Sequence, residues 1–116
     1  MLKVYGIPTC NTCKKALKWL DDQRITYEFI NTKTVPPTPD TIAQWVQTLG
    51  AKPLRNTSGK SYRSLGEDKK TWTDAQWISA FSEDAMLLKR PLFERDGMAL
   101  KVGFRGTDQE LLKTLS

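Results

Sequence analysis

Residues 1–30 read as a strand, a helix and a second strand, and the chain's only two cysteines, Cys10 and Cys13, stand where the first strand gives way to the helix. Leu2 to Tyr5 is a short apolar run ended by Gly6 and Pro8, which predicts a buried strand and then a turn. Asn11 to Gln23 sets Ala16, Leu17 and Leu20 at helical spacing, with Trp19 on the margin of that face. Ile25 to Ile30 alternates and is rich in branched and aromatic residues, so a strand is predicted there. A right-handed crossover then makes the two strands parallel neighbours in one sheet. Cys10 would sit at a helix N-terminus, where partial positive charge favours a thiolate, with Lys14 and Lys15 close behind.

A zinc site needs four ligands, normally cysteine sulfur or histidine nitrogen. With no histidine and two cysteines, this chain cannot close such a site by itself. A disulfide across so small a loop removes only roughly 2 kcal/mol of unfolded-chain entropy, which makes it a poor staple. Burial as two small hydrophobes fits badly beside Asn11, Thr12, Lys14 and Lys15, which describe a wet site. Redox or nucleophilic use leads, with inert or intermolecular metal use as the alternative.

The 116 residues are most simply one domain, 1–116, large enough for a core without disulfides or metals. No stretch approaches the roughly 18 apolar residues of a membrane-spanning helix, and Met1 to Tyr5 is too short for a signal sequence. The expected compartment is therefore the reducing cytoplasm, where a cysteine pair cycles rather than staying oxidised. The net charge of +5 is unevenly spread: Lys52, Arg55, Lys60 and Arg63 fall in residues 41–66 with no acidic residue among them. A second basic run holds Lys89, Arg90, Arg95, Lys101 and Arg105 against Glu94 and Asp96. Such patches suit an anionic substrate, an acidic partner, nucleic acid or simply a solvated face.

Further along, Thr38 as N-cap, Pro39 at the first helical position and Asp40 in the first turn predict a helix from Asp40 to Leu49, stopped by Gly50. It would bury Ile42, Trp45, Val46 and Leu49. Arg55 to Arg63 has loop composition. Thr73 to Gln76 is a capping box leading into Trp77, Ile78 and Phe81, and Ser82 to Ala85 starts another short helix through Leu88. Leu92 to Arg95 and Ala99 to Phe104 read as strands joined by an Asp96-Gly97 hairpin turn. A second capping box, Thr107 to Glu110, opens a terminal helix with Leu111, Leu112 and Leu115. The expectation is an α/β chain with a four-stranded mixed sheet flanked by helices, and a helical insert at about residues 38–88 between strands two and three.

That order, with Cys-x-x-Cys at the first helix start and Pro91 before the third strand, resembles the thioredoxin-like fold. The segments YGIPTCNTCKKALKWLDD, NTSGKSYRSLG and KRPLFERDGMALKVGF together resemble the arsenate reductase family that includes the Spx and MgsR transcriptional regulators. The resemblance implies that Cys10 is the nucleophile attacking the arsenic of bound arsenate, with glutathione and glutaredoxin completing the reduction and no bound cofactor. It also makes Pro91 a candidate cis-proline. Arg90 matches an oxyanion-binding arginine and Arg55 falls near a second; as alternatives, Arg90 is a helix C-cap cation and Arg55 a solvated loop charge. A helix N-terminus both binds oxyanions and lowers a thiol pKa, so one feature serves substrate and nucleophile.

Two features depart from the reductase pattern. Val102, beside Lys101, stands where the reductases carry a further arginine, and Cys13 supplies a second thiol that could resolve an oxidised Cys10 internally. Cys13 points toward the Spx-like branch, in which a Cys-x-x-Cys disulfide switches binding to the C-terminal domain of the RNA polymerase α subunit, although Ser58 replaces the arginine usual there. The competing functions are thus a thiol oxidoreductase and a redox-sensing regulator. A direct nucleic-acid binder is disfavoured, because Trp45 and Trp77 fall on amphipathic helix faces and no strand interleaves aromatic with basic residues. No membrane partner is expected.

Overall fold

Strand β1 (Leu2–Gly6) lies inside a four-stranded sheet of order β2-β1-β3-β4, in a computed structural model that describes residues 1–105 and 112–114. It pairs in parallel with β2 (Tyr27–Asn31), Val4 lying opposite Phe29, and antiparallel with β3 (Leu92–Arg95), where Val4 lies opposite Phe93. β3 turns through Asp96 and Gly97, both at positive φ, into the antiparallel β4 (Met98–Val102). Positive φ at both turn residues is what a two-residue hairpin with strand-compatible twist requires. The mixed sheet expected from the sequence is therefore present.

Helix α1 (Asn11–Asp22) crosses from β1 to β2 and covers one face of the sheet with Ala16 and Leu20, packed on Leu2, Val4 and Phe93. Its end explains why β2 starts at Tyr27 rather than at Ile25. Arg24 adopts a left-handed conformation, its N–H donates to the carbonyl of Asp21, and the Ile25 N–H donates to that of Leu20. This is a Schellman cap with its hydrophobic contact made by Ile25, so that residue finishes the helix instead of opening the strand.

The other face is covered by the segment between β2 and β3. Helix α2 (Pro39–Leu49) is capped by the Thr38 hydroxyl, which accepts from the Thr41 N–H, and buries Ile42, Trp45 and Val46. A short helix α3 (Lys60–Arg63) and a 3₁₀ turn at Glu67–Thr71 follow. Helix α4 (Asp74–Glu83) then starts with the reciprocal Thr73/Gln76 capping box and buries Trp77 and Phe81. α3 corrects the loop expected across Arg55 to Arg63. Gly59 turns back on the Asn56 carbonyl, and Tyr62 stacks on Trp77 from the distant α4, a tertiary contact that composition cannot reveal. The short helix expected after Ser82 is a 3₁₀ turn, Ala85–Leu87, whose start is capped by Asp84 accepting from the Met86 N–H. The capping box at Thr107 to Glu110 lies outside the described residues.

One charged group sits inside this second core. Glu94 is buried; it accepts 2.7 Å from Trp45 Nε1 and 3.4 Å from the Tyr5 hydroxyl, while Tyr5 packs edge-on against Trp45. Both carboxylate oxygens thus have donors, which a buried charge needs. Burial, then the negative Glu94, pushes Tyr5 up to about 12. An unfolded tyrosine loses its proton near 10, so above that pH the unfolded state holds fewer protons and stability falls until the folded residue titrates. The urea midpoint is expected to drop between about pH 10 and 12, with a shallower drop in Tyr5→Phe; an identical slope in that variant would show that Tyr5 is not the group responsible.

Candidate active site

Cys10 is the N-cap residue of α1: its backbone is extended, and its carbonyl accepts the first helical hydrogen bond, 3.0 Å from the Lys14 N–H. The turn that delivers it, Gly6 to Thr9, is closed by the Cys10 N–H donating to the Ile7 carbonyl at 3.2 Å. An N-cap side chain faces the N–H groups of the first turn, which have no partners within the helix. Burial pushes the Cys10 thiol up, but hydrogen bonds to its sulfur from the Cys13 N–H, the Cys13 thiol, the Arg90 guanidinium and the Thr12 N–H outweigh it, and its pKa falls below the ordinary thiol value. Each of these hydrogen bonds favours the ionised form, so Cys10 loses its proton more readily than an ordinary thiol.

Cys13 behaves oppositely. It is buried one turn into α1, and burial followed by the hydrogen bond and like charge of Cys10 pushes its thiol up to about 11, against the lowering effect of the Ile7 N–H and Arg90. Its sulfur rests on Gly6, where a Cβ would come within 2.6 Å of Sγ. Any larger residue at position 6 would have to displace the second thiol, so glycine is required here by close approach. Both cysteines are free thiols in this structure.

Arg90 reaches this site from the segment before β3, and its peptide bond to Pro91 is cis. One guanidinium nitrogen donates to the Leu88 carbonyl at 3.4 Å, and the buried Nε has no protein partner. Cys10, Cys13 and Arg90 are therefore brought together. Arg55 is held elsewhere: its guanidinium lies over the Trp77 ring, 4.1 Å from the centroid, and its backbone pairs with Leu88 in an isolated antiparallel bridge. Its Nε is also buried without a partner. Neither arginine forms an ion pair with a carboxylate among the described residues.

Val102 packs on the α2/α4 side at the end of β4 and brings no guanidinium. Ser58 is exposed; its hydroxyl donates to Asn56 Oδ1 at 3.3 Å. The sequence reading missed Gly6 and the Ile7 N–H as parts of the site, and Trp77 as the ring that holds Arg55 away from it. A glycine ending a strand just before a cysteine turn was a usable signal for the first, but nothing local marked Trp77 as the seat of Arg55. Among the described residues no group of three or more His, Cys, Asp or Glu side chains could hold a metal ion.

Replacing Arg90 with glutamine removes one charge-assisted hydrogen bond from the Cys10 thiolate. The Cys10 pKa is expected to move up toward the ordinary value, and alkylation by iodoacetamide at neutral pH to slow about tenfold, the usual size of such a loss. An unchanged pH–rate profile would remove Arg90 from the site.

A thiol at the start of the first helix, a second thiol one turn later and a βαβ unit followed by an antiparallel hairpin define a thiol-redox protein of the thioredoxin fold. More narrowly, the chain belongs to the ArsC family, whose sequence profile matches residues 5–112. A solved structure described as a possible arsenate reductase from Streptococcus mutans UA159 superposes with a TM-score of 0.87 at 36% identity, covering 97% of this chain and 98% of that one. An uncharacterised Haemophilus influenzae protein is 35% identical over 105 residues, covering 90% of this chain and 91% of its own. The global transcriptional regulator Spx 2 of Lactococcus lactis is 29% identical over 106 residues, which span 90% of this chain and 80% of the regulator.

Proposed function

We propose that this protein is a thiol oxidoreductase in which Cys10 attacks and Cys13 resolves, acting on arsenate, a related oxyanion or a disulfide. The observation that carries this reading is the geometry of two free thiols one turn apart at the start of α1, Cys10 at the N-cap and Cys13 buried against Gly6. The displacement of Cys10 below its ordinary value and of Cys13 up to about 11 agrees with it. An attacking thiol has to be ionised and a resolving thiol held in reserve.

With arsenate, the Cys10 sulfur attacks arsenic and an oxygen leaves as water after protonation, while Arg90 and the free N–H groups at the α1 start hold the remaining anionic oxygens. Once Cys10 is covalently bonded its negative charge is gone, and the like-charge effect that raised Cys13 disappears with it. The Cys13 thiolate then attacks Cys10 Sγ. The sulfur–arsenic bond breaks, its electron pair stays on arsenic as As(III), and the Cys10–Cys13 disulfide holds the oxidised equivalents. An external thiol, glutathione or glutaredoxin, returns both sulfurs to the reduced state.

Arsenate reduction measured with glutathione and glutaredoxin in the wild type and in Cys13→Ser tests this reading. Turnover in the wild type supports it, and loss in Cys13→Ser assigns resolution to the internal thiol. No reduction of arsenate or of a model disulfide overturns it. A second reading, an Spx-type redox sensor, is favoured by the same ability to close an internal disulfide and by the similarity to Spx 2. Capture of the C-terminal domain of the RNA polymerase α subunit that depends on the Cys10–Cys13 oxidation state, without turnover, would select it.

A further inference from the structure

Ile7 stands between the two thiols with both of its peptide groups engaged. Its carbonyl accepts from the Cys10 N–H at 3.2 Å, and its N–H donates to the Cys13 sulfur. That N–H belongs to the same peptide unit as the Gly6 carbonyl, and the partial double bond between them holds the two in one plane. The Gly6 carbonyl in turn accepts twice from Thr32, at 2.9 Å from its N–H and at 3.3 Å from its hydroxyl. One peptide thus has Thr32 at its oxygen and the second thiol at its hydrogen.

Thr32 is 6% exposed, so its hydroxyl is buried. Asn31 lies opposite Gly6 in the β1/β2 ladder, and the Thr32 N–H extends that pairing by one bond. The turn that follows is tied down, with the Lys33 N–H donating to Asn31 Oδ1 at 3.0 Å and the Val35 N–H to the Asn31 carbonyl at 2.8 Å. The Gly6 carbonyl therefore already has a donor without the hydroxyl. A valine of the same shape would pack there with no polar atom to bury. What the hydroxyl adds is a second donor on one oxygen. Donors at the oxygen draw electron density along the peptide and strengthen its N–H, as hydrogen bonds in series do. They also keep the plane from turning the Ile7 N–H away from the sulfur.

From this we propose that Thr32 is a positioning residue for the resolving step: through the Gly6–Ile7 peptide it holds the N–H that steadies the Cys13 thiolate as that sulfur attacks Cys10. The inference rests on the reading of Cys13 as the resolving thiol and adds the residue that prepares it. The titratable and charged groups acting on Cys13 are Cys10 and Arg90. Cys10 loses its charge once it carries a covalent partner, which leaves Arg90 and the Ile7 N–H to favour the thiolate.

The test follows the reduced full chain with dipyridyl disulfide in a stopped-flow absorbance experiment. The Cys10 thiolate attacks one sulfur of the reagent, releases one thiopyridone and keeps the other half as a mixed disulfide. The Cys13 thiolate then attacks Cys10 Sγ, the bond from Cys10 to the pyridyl sulfur breaks, and the second thiopyridone leaves with a proton from solvent. The reagent is the oxidant. The first release rises with reagent concentration and the second does not, so the two thiols are read separately. Thr32→Val is expected to slow the second release about fivefold at neutral pH, the size of one net hydrogen bond, while the first stays within about twofold of wild type. Its second release should also need a higher pH, because a weaker donor at Ile7 leaves the Cys13 thiolate less favoured. Thr32→Ser keeps the hydroxyl and is expected to keep the wild-type second release. A second release unchanged in Thr32→Val, a slowing shared equally by both releases, or a Thr32→Ser chain as slow as Thr32→Val would overturn the role of Thr32 while leaving Cys13 as the resolving thiol. A wild type whose second release is absent, or depends on reagent concentration, would overturn the resolving reading itself. Should Thr32→Val not fold, Thr32→Ala is judged by the same two releases.

Discussion

Cys10→Ser is expected to abolish thiol exchange, lowering the rate by more than about a thousandfold, because a hydroxyl at the same helix start does not ionise near neutral pH. The local field cannot rescue it: the Thr12 and Cys13 N–H groups and Arg90 lower the pKa of a thiol, but a serine begins several units higher. Cys13→Ser should behave differently. Its Cys10 still attacks, so a mixed disulfide or arsenic adduct accumulates and can be seen as added mass on the intact protein. An adduct that clears as fast as in the wild type would show that an external thiol resolves Cys10 directly, leaving Cys13 with no resolving role.

Trp77→Ala is expected to cost about 3–5 kcal/mol, the range for removing a buried aromatic side chain. Against a total stability of about 5–15 kcal/mol, that is a large fraction. Trp77 is 1% exposed and lies at the centre of the helical insert, with Trp72 edge-on at 4.8 Å, Phe81 at 5.5 Å, Tyr62 stacked at 6.3 Å and the Arg55 guanidinium at 4.1 Å. No smaller residue keeps all four contacts. A urea titration should show a lower midpoint with an unchanged slope. A loss below about 1 kcal/mol would mean that the neighbours collapse into the space and that Trp77 is not the organiser of the insert. Arg55 should also lose its fixed orientation, because the ring beneath it is gone.

Much of the fold was legible because its signals are local. The Thr38 and Thr73 caps, the Ile42, Trp45 and Val46 stripe of α2 and the Asp96-Gly97 turn each depend on residues within about one helical turn or one hairpin of each other. The misjudged stretches had either a local cap that no glycine marked, Arg24 taking the left-handed position, or a remote partner. β2 lost Ile25 to the α1 cap because Ile25 packs back on Leu20, and α3 forms where Tyr62 meets a helix that begins more than ten residues later. Glu94, a strand residue, gave no hint that it would be buried against Trp45 and Tyr5.

The amino-acid sequence alone determined the succession of strands and helices, the mixed sheet and the placing of Cys10 at the start of α1, because period, capping and turn chemistry act over a few bonds of chain. Only the tertiary structure decided what that thiol is. Arg90 arrives from the far side of the helical insert, Gly6 leaves room for the Cys13 sulfur, and burial raises one thiol while hydrogen bonds lower the other. A pKa is set by every charge and dipole within a few ångströms, and those neighbours come from segments that only folding brings together.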